Sequence, residues 1–253
     1  MAQNKRDFLL NVLVVGFHHQ KGSQVEFSYP PIKGSLPSSW KYLPYLAIPD
    51  GAHRSEQGFV YFTLPEGKDD DAPLFGERKL FAVACYGQLA TQDLMYKDKE
   101  QTRATVLKSV VVLSRRPCYG FIKAKLSLVT EVYFAQKNFS ETKVLEEFYE
   151  NMNQNSKESH DIKSYCFYVG VTIQPLVRLF RRKLLVIFKL LMLEQRVLFY
   201  GFPAGAVSEM LISVVSLFPG ETVVLTCFVH AVYVDCVMNG PFRMCMRLGS
   251  FVV

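Results

Sequence analysis

The sequence predicts an α+β fold: an antiparallel sheet packed by helices, followed by an incomplete α/β segment. Three observations predict it. Apolar, β-prone runs at 8–17, 24–29, 59–64, 80–89 and 107–114 are separated by turn and loop residues. After Pro117 the apolar residues recur at helical rather than strand spacing. A polar stretch at 151–161 then divides these elements from a second apolar region.

The first two runs form a hairpin. Val25 and Phe27 alternate with Gln24, Glu26 and Ser28, so one face is buried. Between 37 and 49 the spacing of Trp40, Leu43 and Leu46 predicts a short helix or helical turn. Residues 59–64 are a strongly β-prone run, 66–76 an acidic loop, 80–89 a strand, and 96–103 a charged linker. Strand 107–114 ends at Arg115-Arg116-Pro117. A helix follows, its apolar side drawn through Phe121, Ala124, Leu128, Val132 and Ala135. Ser140 is the expected N-cap of the next helix, which buries Val144, Leu145, Phe148 and Met152. In the second region 184–194 reads as a buried helix, 195–196 as a turn and 197–201 as a short core strand. A further helix spans 204–217.

With 253 residues, 49% hydrophobic and 13% aromatic, the chain can bury one or two cores and is not a disordered segment. The net charge of +6 lies wholly in residues 1–220, with a knot at Arg178, Arg181, Arg182 and Lys183. That knot fits an anionic lipid surface, an acidic partner, or simply the solvated side or capped end of a helix. No clean run of membrane-spanning length occurs in 1–220, and Cys85, Cys118 and Cys166 lack pairing spacing. The expectation is a cytoplasmic protein whose membrane contact is peripheral.

Two motifs are long, ordered and rich in uncommon residues: VVGFHH at 14–19 running on to QVEFSYPP at 24–31, and WKYLPYLAIPDGAH at 40–53. Together they resemble the opening of the late secretory pathway (Avl) family of DENN-domain proteins. The order of elements is similar to the longin-like (uDENN) domain that such proteins place first. LLMLEQRVLFYG at 190–201 and LISVVSLFPG at 211–220 resemble the beginning of the central DENN domain. The resemblance implies a longin-like domain at 8–152, the start of the central domain at 165–219, and a divergent tail at 220–253. That tail, with Cys227, Cys236 and Cys245, is expected to be an alternative or truncated terminus.

No residue is assigned a catalytic, cofactor-binding or metal role, and no cofactor, nucleic acid or small-molecule substrate is expected. His18 and His19 are adjacent on a strand and point to opposite faces, which disfavours shared ligation of one ion. Asp50-Gly51-Ala52-His53 reads first as a turn, and no GxSxG elbow or phosphate-binding glycine loop accompanies it. The nine-residue recurrence of the tail cysteines matches no common zinc spacing, and His230 and Asp235 interrupt the apolar run at 223–237.

The resemblance implies a vesicle-trafficking regulator of late secretory or recycling transport, with a Rab-type small GTPase as partner. DENN modules as a class are guanine nucleotide exchange factors. Exchange needs a surface that prefers the nucleotide-free GTPase, not a nucleophile, so it leaves little motif in the sequence. In the superfamily the GTPase lies against a surface shared by the longin and central parts. Weak or no exchange is therefore expected from this chain. The alternatives are a non-catalytic longin-type scaffold or adaptor, and an unproductive splice product.

Overall fold

Strand β1 (Leu9–His18) pairs with β5 (Thr105–Ser114), the last strand in sequence, so the sheet is closed by a long-range contact. With β2 (Gly22–Tyr29), β3 (Gln57–Pro65) and β4 (Lys79–Ala90) they form one antiparallel sheet in the order β2-β1-β5-β4-β3. This computed structural model describes residues 7–18, 20–32, 34–65, 79–96, 104–158, 173–193, 195, 197, 199 and 201–217. The predicted loop at 66–76, most of the linker at 96–103, Cys166 and the tail lie outside the described residues.

Both faces of the sheet are covered, which is why β1, β4 and β5 read as nearly unbroken apolar runs. One face carries Val12, Val14, Tyr61, Val83, Val110 and Val112. Helices α2 (Tyr119–Ala135) and α3 (Lys143–Glu158) cover it. The other face carries Leu13, Val15, Phe62, Ala82 and Leu113 under Trp40 and the short helix α1 (Leu43–Ala47). Leu43 is fully buried there, worth about 2 kcal/mol against exposure. The Trp40 indole N–H donates to the Pro65 carbonyl at 2.9 Å. A bulge between Leu9 and Asn11 re-phases β1, placing Leu9 and Val12 on the same face. This is the α+β architecture that the period change predicts, and it is consistent with the longin-like fold that the resemblance implies.

Several expectations need correction. The inward side of α2 is Tyr119, Ile122, Leu126, Thr130 and Tyr133, whereas Leu128 and Val132 are exposed and Ala124 and Ala135 with them. Both stripes of this helix are apolar, so periodicity alone does not choose between them. The Tyr119 ring does: it stands edge-on to Tyr61 at 5.7 Å and to Phe81 at 6.0 Å. Helix α3 begins at Lys143, not at Ser140. The Thr142 carbonyl accepts the first bonds from Leu145 and Glu146, and the Thr142 hydroxyl bonds the Glu146 carboxylate. The polar stretch predicted as a linker from 151 is helical through Glu158, because Met152 and Asn153 are buried against the sheet.

Three shorter helices follow: α4 (Ile173–Phe180), α5 (Lys183–Met192) and α6 (Ala204–Val215). Leu176, Phe180, Leu184, Ile187 and Val214 form a small core of their own. Helix α5 is not buried all round as its composition predicts; only Leu184 and Ile187 are buried. The described residues of the expected strand at 197–201 have no strand pairing, and Phe199 packs its ring on Phe180 at 6.1 Å instead. Arg178 lies in the last turn of α4, where a cation complements the helix dipole.

Candidate interaction site

Helix α6 is held on the sheet edge at β3 by contacts that begin with a missing side chain. Gly205 lies so close to the Phe59 carbonyl that a Cβ would collide with it. One helical turn on, the Glu209 carboxylate accepts from the Lys123 ammonium at 2.7 Å and from the Tyr61 hydroxyl at 3.3 Å. The Lys123 ammonium also sits 5.3 Å from the centre of the Phe59 ring. Ile212 then enters the core of the sheet. Burial, reinforced by the neighbouring Glu209 charge, pushes the Tyr61 hydroxyl far above its ordinary pKa, so it remains a neutral donor.

Just before α6, Phe202 reaches the other face of the sheet. Its ring fills the space beside Gly51, whose φ of 81° makes the Asp50-Gly51 turn. The Arg54 guanidinium lies 5.4 Å from the centre of the same ring. The 50–53 segment is therefore the turn its sequence predicts, and it is also the seat of Phe202. Along α1 the exposed side carries Tyr42 at 61% and Tyr45 at 50% exposure, with the Lys41 ammonium 4.8 Å from the Tyr42 ring centre. Tyr42 and Tyr45 are thus exposed aromatic side chains of the sheet unit, and Phe202, beside the exposed Arg54, is an exposed aromatic side chain of the segment that follows it.

The other polar features resolve into structural roles. The His18 Nδ1 atom accepts from the backbone N–H groups of Gln20 and Lys21, tying the β1–β2 turn; His19 lies outside the described residues. Among the described residues, no three His, Cys, Asp or Glu side chains gather as a metal site. Cys85 and Cys118 are buried thiols outside any disulfide, and burial pushes the Cys85 thiol above its ordinary pKa. The FSYPP motif is a tie between elements: the Ser28 hydroxyl and the Asn11 carboxamide both donate to the Pro30 carbonyl, and the Tyr29 hydroxyl donates to Glu150 at 2.9 Å. Sequence reasoning missed Arg54, Phe202, Gly205 and Glu209. Each acts through a partner distant in sequence and carries no local signal.

The transport protein Avl9 profile matches residues 9–231 of this chain. The chain belongs to the Avl9 family. It is 33% identical over 234 residues to the late secretory pathway protein AVL9 of Saccharomyces cerevisiae, covering 87% of this chain and 31% of that protein. It is 34% identical over 220 residues to the late secretory pathway protein avl9 of Schizosaccharomyces pombe, covering 87% of this chain and 44% of that protein. The chain thus spans less than half the length of either Avl9 relative. No solved structure matches it. Among the described residues, no helix is long and apolar enough to cross a membrane.

Proposed function

We propose that this Avl9-family chain is a vesicle-trafficking regulator of late secretory or recycling transport. It acts in the cytoplasm, peripherally on secretory or recycling endosomal membranes, and engages a Rab-type small GTPase. The family match supports the trafficking role. The seam supports a protein partner, because Phe202 and α6 lock onto the sheet while Phe202 and Arg54 beside it stay exposed, as do Tyr42 and Tyr45 of the sheet unit. Exposed aromatic and arginine side chains on a rigid scaffold are the residue types that dominate binding energy at protein interfaces.

An exchanger works by linkage: binding the empty GTPase more tightly than the loaded one lowers nucleotide affinity by the same factor. In the superfamily that this chain resembles, the GTPase surface is shared by the longin and central parts, and the proposal for these 253 residues by themselves is weak exchange. The test is a pull-down of trafficking Rab GTPases in empty, GDP and GTP states, with release of labelled GDP measured in parallel. Preferential capture of the empty or GDP form is the expected result. Capture indifferent to nucleotide would replace the exchanger reading with the scaffold or adaptor. Release at catalytic ratios would overturn the prediction of weak exchange.

A further inference from the structure

The outer face of the α4–α5 pair carries apolar and cationic side chains with nothing among the described residues to cover it. In α5, Leu184, Ile187 and Leu191 turn inward. Leu185, Lys189 and Leu193 fall on the opposite side by helical spacing, and Leu185 is 72%, Met192 62% and Leu193 57% exposed. Residues 173–193 contain Arg178, Arg181, Arg182, Lys183 and Lys189 and no acidic residue. Neither ion pair described in the structure involves these five cations.

The turn between the two helices holds its cations at a local cost. Arg181 adopts φ 47°, in the left-handed region that favours glycine. Arg182 and Lys183 stand at the N-terminus of α5, where the helix dipole disfavours positive charge and no acidic first-turn residue relieves it. Local rules broken together on one exposed turn mark a site kept for binding.

We propose that the α4–α5 face docks on an anionic lipid bilayer, with Leu185, Met192 and Leu193 entering the headgroup boundary. Arg178, Arg181, Arg182 and Lys183 neutralise lipid phosphates and carboxylates. Charge complementarity selects this partner: five cations without one anion repel a basic surface and attract an anionic one. Lys189, amid the apolar side chains, extends its ammonium outward to the headgroups while its stem stays among them. Burial of apolar side chains plus attraction to acidic lipids is how short amphipathic helices bind membrane surfaces. The proposal rests on the trafficking reading only for the membrane as partner, and it requires no GTPase.

The experiment is co-sedimentation of the 253-residue chain with phosphatidylcholine vesicles, with and without phosphatidylserine, in the absence of any GTPase. Binding to the anionic vesicles exceeds that to neutral ones by at least about tenfold and falls as salt rises. The pair Arg182→Glu with Lys183→Glu removes the preference. The pair Leu185→Ser with Leu193→Ser weakens binding at every salt concentration. These residues are exposed, so thermal unfolding of the variants stays at the parent value. Equal binding to both vesicle types, or variants that bind like the parent, overturns the proposal. So does self-association lost in the Leu185→Ser and Leu193→Ser pair, which would assign the face to a second copy. Rapid reaction of a Leu185→Cys thiol, slowed by anionic vesicles, is the expected second readout. A thiol already shielded without lipid would assign the face to more of this same chain. GTPase capture in the pull-down is unchanged by any of these outcomes, so the two readings fail separately.

Discussion

The Asn153 carboxamide stands in for a missing strand beside Leu9. It accepts from the Leu9 N–H at 2.8 Å and donates to the Leu9 carbonyl at 3.2 Å. The adjacent Phe8 carbonyl is taken by Arg115 and Ser114 on the β5 side, so Leu9 turns its polar groups the other way. Pairing of β1 with β2 reaches only as far as Val12 and Tyr29. Asn153 and Leu9 are both buried, and unmade backbone bonds there would have no water to replace them.

Asn153→Ala therefore destabilises the chain by about 2–4 kcal/mol, the penalty of two orphaned backbone groups. Urea unfolding measures it, with faster hydrogen exchange at the Leu9 amide as the local signature. Asn153→Asp does not rescue, because it replaces the donor with a buried charge.

Lys108 is only 8% exposed and pairs with the Glu26 carboxylate, its ammonium 5.0 Å from the centre of the Phe139 ring. Glu26 sits at the β2 irregularity opposite Val14 and Val15, and its side chain crosses over Gly16 to reach Lys108. Glu26→Ala leaves a nearly buried cation unpaired and costs about 1–3 kcal/mol. Adding Lys108→Met recovers most of that loss. Gly16→Ala mimics Glu26→Ala, because the new methyl occupies the path of the carboxylate. Denaturation midpoints of the parent, Glu26→Ala, Lys108→Met and their double variant complete the cycle, with Gly16→Ala measured beside them.

Stability falls at alkaline pH. Burial raises the Tyr61 and Tyr133 hydroxyls and the Cys85 thiol above their ordinary values. For acids whose folded pKa is raised, the unfolded chain releases protons first. The stabilisation is then complete below the unfolded values of about 8.5 for Cys and about 10 for Tyr, and is lost as pH climbs past them. Urea midpoints are expected to be flat from neutral pH to about 8 and to decline beyond about 9–10. Ionisation of Tyr61 and Tyr133 accompanies the unfolding rather than preceding it. Tyr133→Phe flattens the decline, at the cost of the bond to the Phe139 carbonyl.

Surface and seam variants separate binding from folding. Tyr42→Ala and Tyr45→Ala change stability by no more than about 0.5 kcal/mol, as exposed substitutions do. Each weakens GTPase capture by about tenfold or more if it is a hot spot of the proposed surface. Gly205→Leu instead pushes α6 off the Phe59 carbonyl, so α6 amides exchange rapidly while the five strands stay protected. Unaltered capture by all three variants would move the partner elsewhere on the molecule.

All five strands are legible in the sequence because β-branched and aromatic runs ended by Gly, Pro and charged clusters have few other uses. The turn at Gly51 is legible for the same reason: only a residue without Cβ takes its φ of 81° at no steric cost. The buried face of α2 is not legible, since both its stripes could enter a core. Nor is the extension of α3. Asn, Gln, Ser and Lys at 151–157 match a linker until Met152 and Asn153 meet β1.

What the sequence determined by itself, then, is local: strand and helix periods, the punctuation between them, and the two long motifs that carry the family. The tertiary structure decided which apolar stripe of α2 faces inward, that Asn153 is a core residue, and that Phe202 and Gly205 fasten the following segment to the sheet. It also decided that, among the described residues, nothing covers the far side of α5. The physical reason is range: dihedral preference and periodicity act within a few residues, whereas these outcomes depend on what a side chain meets across the fold. Asn153 lies 144 positions from Leu9, and Glu209 lies 148 positions from Tyr61.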